Sequence, residues 1–138
     1  DDFDAELILQ GPKKIREKMA EIERNEKEAT AKEKNLFTIL EVANEMYARG
    51  IQFAQIDLYK SDVKRFKITE AGILPPLKSL QGLGITAAQN IERERRKGRF
   101  TSIDDLQRRA RITKNVVQIL RQNGVLANLQ ETDQISLF

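Results

Sequence analysis

The sequence predicts a mainly α-helical fold with a few short strands near the middle of the chain. Apolar residues recur every three to four positions over most of the 138 residues, which is the spacing of one helix face. Ser and Thr residues that can cap helix starts precede several of these segments, and glycines follow them. Pro75 and Pro76 restrict the backbone and prevent a preceding helix from continuing, so we expect a new structural unit to begin there.

Residues 1–50 are predicted to form a pair of helices. Pro12 stands in the first turn of one helix, and Thr30 with Glu33 forms a capping box for the other, which Gly50 ends. The apolar positions that follow helical spacing are Ile15, Met19, Ile22, Leu36, Ile39, Leu40, Ala43, Met46 and Tyr47. Because they fall on one stripe of each helix, the two helices can pair through them.

Residues 51–74 are predicted to connect this pair to the next unit through short extended segments. The apolar residues there no longer follow helical spacing, and residues 70–72 provide a turn. The positions concerned are Ile51, Phe53, Ile56, Leu58, Phe66, Ile68, Ile73 and Leu74.

Residues 75–126 are predicted to form two successive helix–turn–helix units. In the first, Gly82 and Gly84 make a tight hairpin, and Thr86 opens a capping box for a helix that reaches Lys97 before Gly98. In the second, Ser102 and Thr113 are the predicted helix caps, and Gly124 ends the last helix. The turn at residues 110–112 has no glycine, so we expect it to have lost the backbone geometry of the first hairpin.

The charges of the chain are unevenly distributed, although its net charge is only +3. Residues 1–50 carry 9 Lys or Arg against 12 Asp or Glu, whereas residues 51–126 carry 15 against 7. Such a concentrated basic block is typical of a protein that binds a polyanion. The alternative is a solvated helical face rich in arginine.

The absence of Cys, His and Trp excludes several kinds of site. Disulfides, zinc sites of the usual ligand type, histidine bases and cysteine nucleophiles all require residues that this chain lacks. Asp1, Asp2 and Asp4 resemble a metal-binding carboxylate group, but an acidic segment leading into a helix is the favoured interpretation. We therefore expect no catalysis and no cofactor in this chain.

The glycine hairpin is a candidate phosphate site. Without side chains at positions 82 and 84, the backbone amides there and in the following helix turn can point at one anion. Basic residues near the hairpin in sequence would reach flanking phosphates: Lys78, Arg93, Arg95, Arg96, Lys97 and Arg99. Since none of these contacts reads a base, the expected DNA binding is independent of sequence and falls steeply with salt. For an isolated match, an ordinary tight turn between helices is the alternative.

Together, the glycines, the following helix, its arginine-rich end and the second helical pair resemble the helix-hairpin-helix family of DNA-backbone-binding modules. The resemblance implies that Gly82, Leu83, Gly84 and Thr86 take the positions that hold a DNA phosphate, sometimes with a bound monovalent cation. Where the family often has proline before the first glycine, this chain has Gln81, which leaves the turn less rigid.

Residues 127–138 are predicted to be a flexible tail. Their upstream part is too polar to form a core of its own, whereas the last five residues include large apolar side chains that could dock into a partner. The alternative is that Ile135, Leu137 and Phe138 fold back as an edge strand or cap the last helix.

Six stretches resemble the PolC family of replicative DNA polymerases of Gram-positive bacteria. They are residues 1–4, 32–36, 57–66, 75–84, 104–109 and 134–138, and they span nearly the whole chain. The resemblance implies that residues 1–50 end the fingers region, that residues 75–126 are a duplex-binding domain, and that the catalytic palm with its Mg²⁺ lies outside this chain.

The same resemblance implies that residues 134–138 are a sliding-clamp binding motif. Gln134 would hydrogen-bond at the rim of the clamp pocket, and Leu137 with Phe138 would fill its hydrophobic floor, with Ile135 and Ser136 between them. The expected partners are thus primer-template DNA, the clamp and the remainder of the polymerase.

Two competing interpretations stay open at this stage. One is a free-standing DNA repair or recombination scaffold with the same hairpin, and the other is a protein-interaction module whose arginine-rich surface binds an acidic partner. The chain begins without Met, so we expect it to be a piece of a longer polypeptide. No apolar run approaches the roughly 20 residues of a membrane helix, so we expect a cytoplasmic protein without a membrane partner.

Overall fold

The structure, a computed structural model, describes residues 3–133 and has the predicted mainly α-helical fold. Its helices are α1 (Ala5–Ile8), α2 (Pro12–Arg24), α3 (Ala31–Ala48), α4 (Ile85–Arg95), α5 (Ile103–Ala110) and α6 (Lys114–Gln122). Two short 3₁₀ turns lie at Glu26–Glu28 and Leu77–Ser79, and the strands β1 (Lys67–Thr69) and β2 (Gly72–Leu74) form a hairpin.

The predicted pair of N-terminal helices is confirmed. Pro12 is the first residue of α2, and both halves of the Thr30–Glu33 capping box are present at the start of α3. The Asp4 side chain caps α1 by accepting a hydrogen bond of 3.2 Å from the Leu7 amide, in keeping with its interpretation as part of a helix-leading segment. The five buried residues that hold these helices together are Ile8, Ile15, Ile22, Leu40 and Ala43.

The connecting segment contains fewer strands than its apolar pattern indicates. β1 and β2 pair antiparallel, with Ile68 opposite Ile73, and Phe53 adds a single parallel bridge to Ile73. The prediction of extended structure at Ile56 and Leu58 is wrong: these buried residues lie in irregular structure. The Asp57 carboxylate accepts hydrogen bonds from the amides of Tyr59 and Lys60, two and three residues later. These bonds stabilise a turn of the backbone there.

The first hairpin differs from its sequence prediction at both ends of the helix that follows it. α4 starts at Ile85, so Thr86 lies inside its first turn, and Gly84 occupies the N-cap position without a side-chain cap. The predicted capping box of Thr86 and Gln89 is therefore wrong, because the chain already enters the helix after the positive φ of Gly84. The regular helix also ends at Arg95 rather than Lys97.

The second hairpin has the predicted caps and differs in geometry from the first, since its N-cap Thr113 has φ −79° where Gly84 has φ 82°. Ser102 accepts from the Asp105 amide at 2.9 Å, and Thr113 accepts from the Val116 amide at 3.1 Å. Between α5 and α6, Arg111 takes a left-handed conformation with φ 54° and ψ 42°. Among the described residues it is the only non-glycine with positive φ, so an arginine supplies the turn that glycine would otherwise make.

Residues 127–133 lie against α5 and α6, although their polar composition predicts a flexible tether. The amides of Ile103 and Asp104 donate to the carbonyl oxygens of Gln130 and Glu131 at 2.8 and 3.1 Å. Glu131 also pairs with Arg121 at the end of α6. Backbone hydrogen bonds and a surface ion pair hold this segment, so it needs few apolar residues of its own. The predicted division of the chain into four segments stays a prediction.

The larger core lies under the two hairpins. It collects buried side chains from the connecting segment, from all three C-terminal helices and from Leu126 after α6. Within residues 3–133, no helix has the length and apolar character needed to span a membrane.

Candidate functional site

The first hairpin, residues 80–85, is anchored by two leucines and opened by two glycines. Leu80 and Leu83 are buried in the larger core, whereas Gly82 and Gly84 are exposed. The φ angles of the glycines are 87° and 82°, a region in which residues with a Cβ are strained. The hairpin thus presents backbone, and no large side chain, to the outside at these two positions.

The two glycines face different surroundings. A Cβ added to Gly82 would lie 3.0 Å from the Cδ1 of Ile119 on α6, so a side chain there would push against that helix. A Cβ added to Gly84 would meet nothing within 4 Å. Gly82 therefore lets the hairpin pack closely on α6, and Gly84 leaves the start of α4 open.

The start of α4 has no side-chain cap, unlike the starts of most helices in this chain. Side chains cap α1, α3, α5 and α6, and α2 begins with a proline that has no amide hydrogen to satisfy. Within residues 3–133, the Leu80 and Leu83 amides of the hairpin have intramolecular acceptors, the Leu77 and Leu80 oxygens at 3.1 and 3.2 Å. The amides of Gly82, Gly84, Ile85 and Thr86 have none there.

These amides can bind an anion. Unsatisfied N–H groups at a helix start coincide with the positive end of the helix dipole, which favours a phosphate or carboxylate. Thr86 is exposed in the first turn, where its hydroxyl could also donate to such an anion. Lys78 lies half-buried on the 3₁₀ turn that precedes the hairpin.

The predicted basic residues of α4 lie at the other end of the helix. With a rise of about 1.5 Å per residue, α4 places Arg93 roughly 12 Å from Ile85, and Arg96 and Lys97 directly follow the end of the helix. These three side chains are exposed and pair with glutamates of the same helix, Arg96 with Glu92 at 3.1 Å and Lys97 with Glu94 at 2.9 Å. They lie too far from the hairpin to bind the same phosphate, and would instead bind other phosphates along a DNA strand.

Arg95 points into the protein. Its guanidinium donates to the carbonyl oxygens of Leu58 and Ser61 at 3.1 and 2.6 Å, and burial lowers its pKa. The predicted contact between Arg95 and DNA stays a prediction, but these bonds also give the side chain a structural role in joining α4 to the connecting segment.

Arg99 is held in place by an aromatic ring. Its guanidinium carbon lies 4.1 Å from the centroid of Tyr59, and Tyr59 stacks on Phe100 with centroids 5.9 Å apart. Arg99 is exposed, and among the described residues no carboxylate pairs with it. Its charge is therefore oriented by the cation–π contact and stays available to an anion.

Arg109 has a structural role that the sequence pattern does not indicate, although it counts among the basic residues of this region. Its guanidinium donates to the oxygens of Glu94 and Gly98 at 2.6 and 3.0 Å and to the Asp105 carboxylate at 3.1 Å. It also lies 4.5 Å from the centroid of the Phe100 ring. The succession of two aspartates and two arginines at residues 104–109 was the only signal, and it does not say which arginine turns inward.

Two nearly buried carboxylates keep their charge in this network. A hydrogen bond from Lys97 lowers the pKa of Glu94. Burial acts to raise the pKa of Asp105, but hydrogen bonds from the Thr101 amide and from Arg109 outweigh it, so the pKa is lowered. Both groups are thus ionised at neutral pH and hold basic side chains in place between the end of α4 and the start of α5.

Two sequence predictions concern parts of the chain that this geometry does not address. The clamp motif, Gln134 to Phe138, lies outside the described residues, as do Asp1 and Asp2. Within residues 3–133, no three acidic side chains come together in a way that could hold a metal ion. The monovalent cation at the hairpin stays a prediction.

Comparison with known proteins identifies the family. The model of the helix-hairpin-helix motif matches residues 50–135. The chain is 52% identical over its full length to the PolC-type DNA polymerase III of Caldanaerobacter subterraneus subsp. tengcongensis. It is 47% and 41% identical over its full length to the PolC-type DNA polymerase III of Clostridium perfringens and of Bacillus subtilis.

In each of these three cases the chain spans about 10% of the relative's length. The family match covers both hairpins, and the relatives match every part of the chain. The chain therefore belongs to the helix-hairpin-helix family and is homologous to a segment of PolC-type DNA polymerase III.

Proposed function

We propose that this chain is the C-terminal segment of a PolC-type DNA polymerase and that it holds the sugar-phosphate backbone of DNA at the first hairpin. The observation that carries the proposal is the uncapped start of α4, where the amides of the exposed residues Gly84, Ile85 and Thr86 have no acceptor within residues 3–133. A phosphate would supply the acceptor that the protein itself does not provide there.

The surrounding charges suit a polyanion rather than a single anion. Arg93, Arg96 and Lys97 lie at the far end of α4 and would bind other phosphates of the same DNA. Their partners are the half-buried Glu92 and the nearly buried Glu94, but the three basic side chains themselves are 56–74% exposed, so phosphates can reach them and compete for them. Arg99, which has no carboxylate partner in the described part of the chain, needs no such exchange.

The mode of binding follows from these groups. Backbone amides and basic side chains contact phosphates but do not read base edges, so binding is independent of sequence. On its own such binding is weak at physiological salt, with a dissociation constant of about 10⁻⁴ to 10⁻⁶ M. We assign no catalytic step to this chain: in this proposal the polymerase palm and its Mg²⁺ belong to the rest of the protein.

We further propose that residues 134–138 recruit the sliding clamp. The support is the sequence Gln-Ile-Ser-Leu-Phe, which has the spacing of a clamp-binding motif, with Gln134 at the rim and Leu137 and Phe138 in the pocket. Asp133, directly before the motif, accepts a hydrogen bond from the Thr101 hydroxyl and lies 3.9 Å from Arg108. The residue that precedes the motif is therefore held next to α5.

The DNA proposal can be tested with Thr86→Glu. A carboxylate in the first turn of α4 would repel a phosphate, while it stabilises the helix by about 0.3–1 kcal/mol through the helix dipole. We expect duplex affinity to fall by about tenfold or more, which corresponds to about 1.4 kcal/mol, with no loss of thermal stability. Fluorescence anisotropy with two unrelated duplexes at about 50 and 200 mM salt measures both affinity and its salt dependence.

Ala31→Glu is the matched control, because it adds the same charge to the exposed first turn of α3. We expect it to change DNA affinity by less than about twofold. An equal loss in both variants would show that the hairpin is not the phosphate site. Absence of salt-dependent DNA binding by the unmodified chain would instead favour an interaction module for an acidic protein.

The remaining alternative is a free-standing repair scaffold. The coding sequence upstream of this chain distinguishes it from a polymerase. Palm and exonuclease motifs upstream of Asp1 are expected for a polymerase and not for a scaffold. The match of the whole chain to a segment of three PolC-type polymerases supports the polymerase interpretation.

A further inference from the structure

Helix α3 has apolar residues on two faces, of which α2 covers only one. Leu40 and Ala43 are buried in the cluster that joins α2 and α3. A second row, formed by Ile39, Val42 and Met46, lines an open groove, and Val42 is 58% exposed. A surface helix normally has one apolar stripe, whereas a helix that is apolar on several faces is typical of a more completely buried position.

The opposite wall of this groove comes from the connecting segment and is also apolar. Phe53, Phe66 and Ile73 face α3 across a space of about 370 Å³. Phe66 is 43% exposed, and the neighbouring Ile68 on β1 is 94% exposed. The groove has no charged lining residue, so the DNA-binding charges do not extend into it. A continuous exposed apolar surface of this kind marks an interaction site.

The occupant is indicated by the position of Phe3 and by the length of the relatives. Phe3 lines the groove, and its ring packs edge-on against Phe66 with centroids 4.8 Å apart. Under the proposed function, a polymerase chain would therefore arrive at this groove directly before residue 3. The relatives are about ten times as long as this chain, so a large upstream part is available to cover the groove.

We infer that the groove between α3 and the β1–β2 hairpin is the docking surface for an apolar segment of the polymerase that precedes Phe3. The inference rests on the proposed function, since it requires the chain to be part of a polymerase. Docking there would fix the orientation of the DNA-binding unit relative to the upstream part through a packed interface in addition to the covalent connection.

Thiol accessibility in the full-length polymerase tests this inference. The 138 residues contain no cysteine, so Val42→Cys places a single thiol in this segment, at a position exposed in the isolated chain. We expect maleimide labelling at position 42, quantified by mass spectrometry of the corresponding peptide, to be at least about tenfold slower in the full-length polymerase than in the 138-residue chain. Ala48→Cys, exposed on the same helix and outside the groove, should label equally fast in both proteins.

Equal labelling of position 42 in both proteins would overturn the inference. So would slow labelling already in the isolated chain together with a dimer in sedimentation analysis, because a second copy would then be the occupant. Val42→Lys in the isolated chain should leave DNA affinity unchanged. Loss of DNA binding in Thr86→Glu and protection of position 42 are thus measured separately, and the DNA proposal can fail without the docking result changing.

Discussion

At the scale of single residues, the basic side chains of this chain divide into two groups that composition does not distinguish. Arg95 and Arg109 donate to backbone carbonyl oxygens and hold the structure together. Arg96, Lys97 and Arg99 are exposed and face solvent with charges that a phosphate could use. A count of basic residues in the sequence is therefore larger than the number of basic side chains that can contact a polyanion.

The neighbouring arginines 108 and 109 provide a direct test of this division. Arg109→Ala removes a side chain that is 21% exposed and leaves Asp105, which is nearly buried, without its inward partner. We expect the free energy of unfolding to fall by about 3 kcal/mol, because the substitution removes one charged hydrogen bond to Asp105 and the bonds to the carbonyl oxygens of Glu94 and Gly98. Urea denaturation followed by circular dichroism measures the change.

Arg108→Ala is the control for that measurement. Arg108 also pairs with Asp105, at 2.8 Å, but its side chain is 66% exposed. We expect a loss of less than about 1 kcal/mol, as for other surface ion pairs. Equal effects of the two substitutions would show that the inward contacts of Arg109 do not stabilise the fold.

At the scale of elements, the two hairpins reach related turns by different means. The first uses glycines at positions 82 and 84, whereas the second places Arg111 in the left-handed region between α5 and α6. The amides of Arg111 and Ile112 both bond to the Gln107 oxygen, which closes the end of α5. The hydrogen bonds and the packing of α5 on α6 thus maintain a conformation that an arginine alone disfavours.

Replacing this arginine by glycine should therefore stabilise the protein. The left-handed conformation costs a residue with a Cβ about 1–2 kcal/mol, and glycine loses part of that gain through its greater freedom in the unfolded state. For Arg111→Gly we expect a net gain of about 0.5–1 kcal/mol in the free energy of unfolding. Differential scanning calorimetry should show a higher Tm.

Gln118→Gly is a suitable comparison because residue 118 is exposed in the middle of α6, where the backbone is right-handed. Glycine there is expected to cost about 1 kcal/mol. A destabilising effect of both substitutions would mean that the turn at residue 111 stores no strain.

At the scale of the whole molecule, the proposed function combines two weak contacts. Burying Leu137 and Phe138 in a clamp would contribute about 1.5–3 kcal/mol each, while ordering five residues costs about 1–2 kcal/mol per residue. The terminal motif alone should thus bind weakly. Because residues 127–133 are held against α5 and α6, the attachment point of the motif is fixed on the proposed DNA-binding unit, which would raise its effective concentration near a clamp on the same DNA.

The combined change of Leu137 and Phe138 to Ala tests this cooperation. We expect it to abolish binding to the purified clamp, because the apolar contacts are removed, and to leave the affinity for bare duplex DNA unchanged. Surface plasmon resonance on primed DNA, with and without loaded clamp, measures both. Thr132→Ala, outside the motif, should retain clamp binding, and a clamp affinity unaffected by the double substitution would contradict the assignment.

The sequence by itself determined the helical class, the family and most helix ends. Thr30, Ser102 and Thr113 were predicted as caps and act as caps, because a cap depends on a side chain and an amide three residues away. The same locality explains why the two glycines of the first hairpin were recognised. A local signal also produced the wrong capping box at Thr86, since the N-cap is Gly84, with its positive φ, and the helix starts two residues earlier.

Only the tertiary structure decided which charges are free, which segments are held and which surface stays open. Whether Arg95 or Arg99 faces solvent depends on Leu58, Ser61 and Tyr59, which lie more than thirty residues away in the chain. The fixed course of residues 127–133 likewise depends on hydrogen bonds to α5. Periodicity places apolar residues on a helix face, but contacts between distant segments determine whether that face is covered, so the open groove beside α3 could not be read from the sequence.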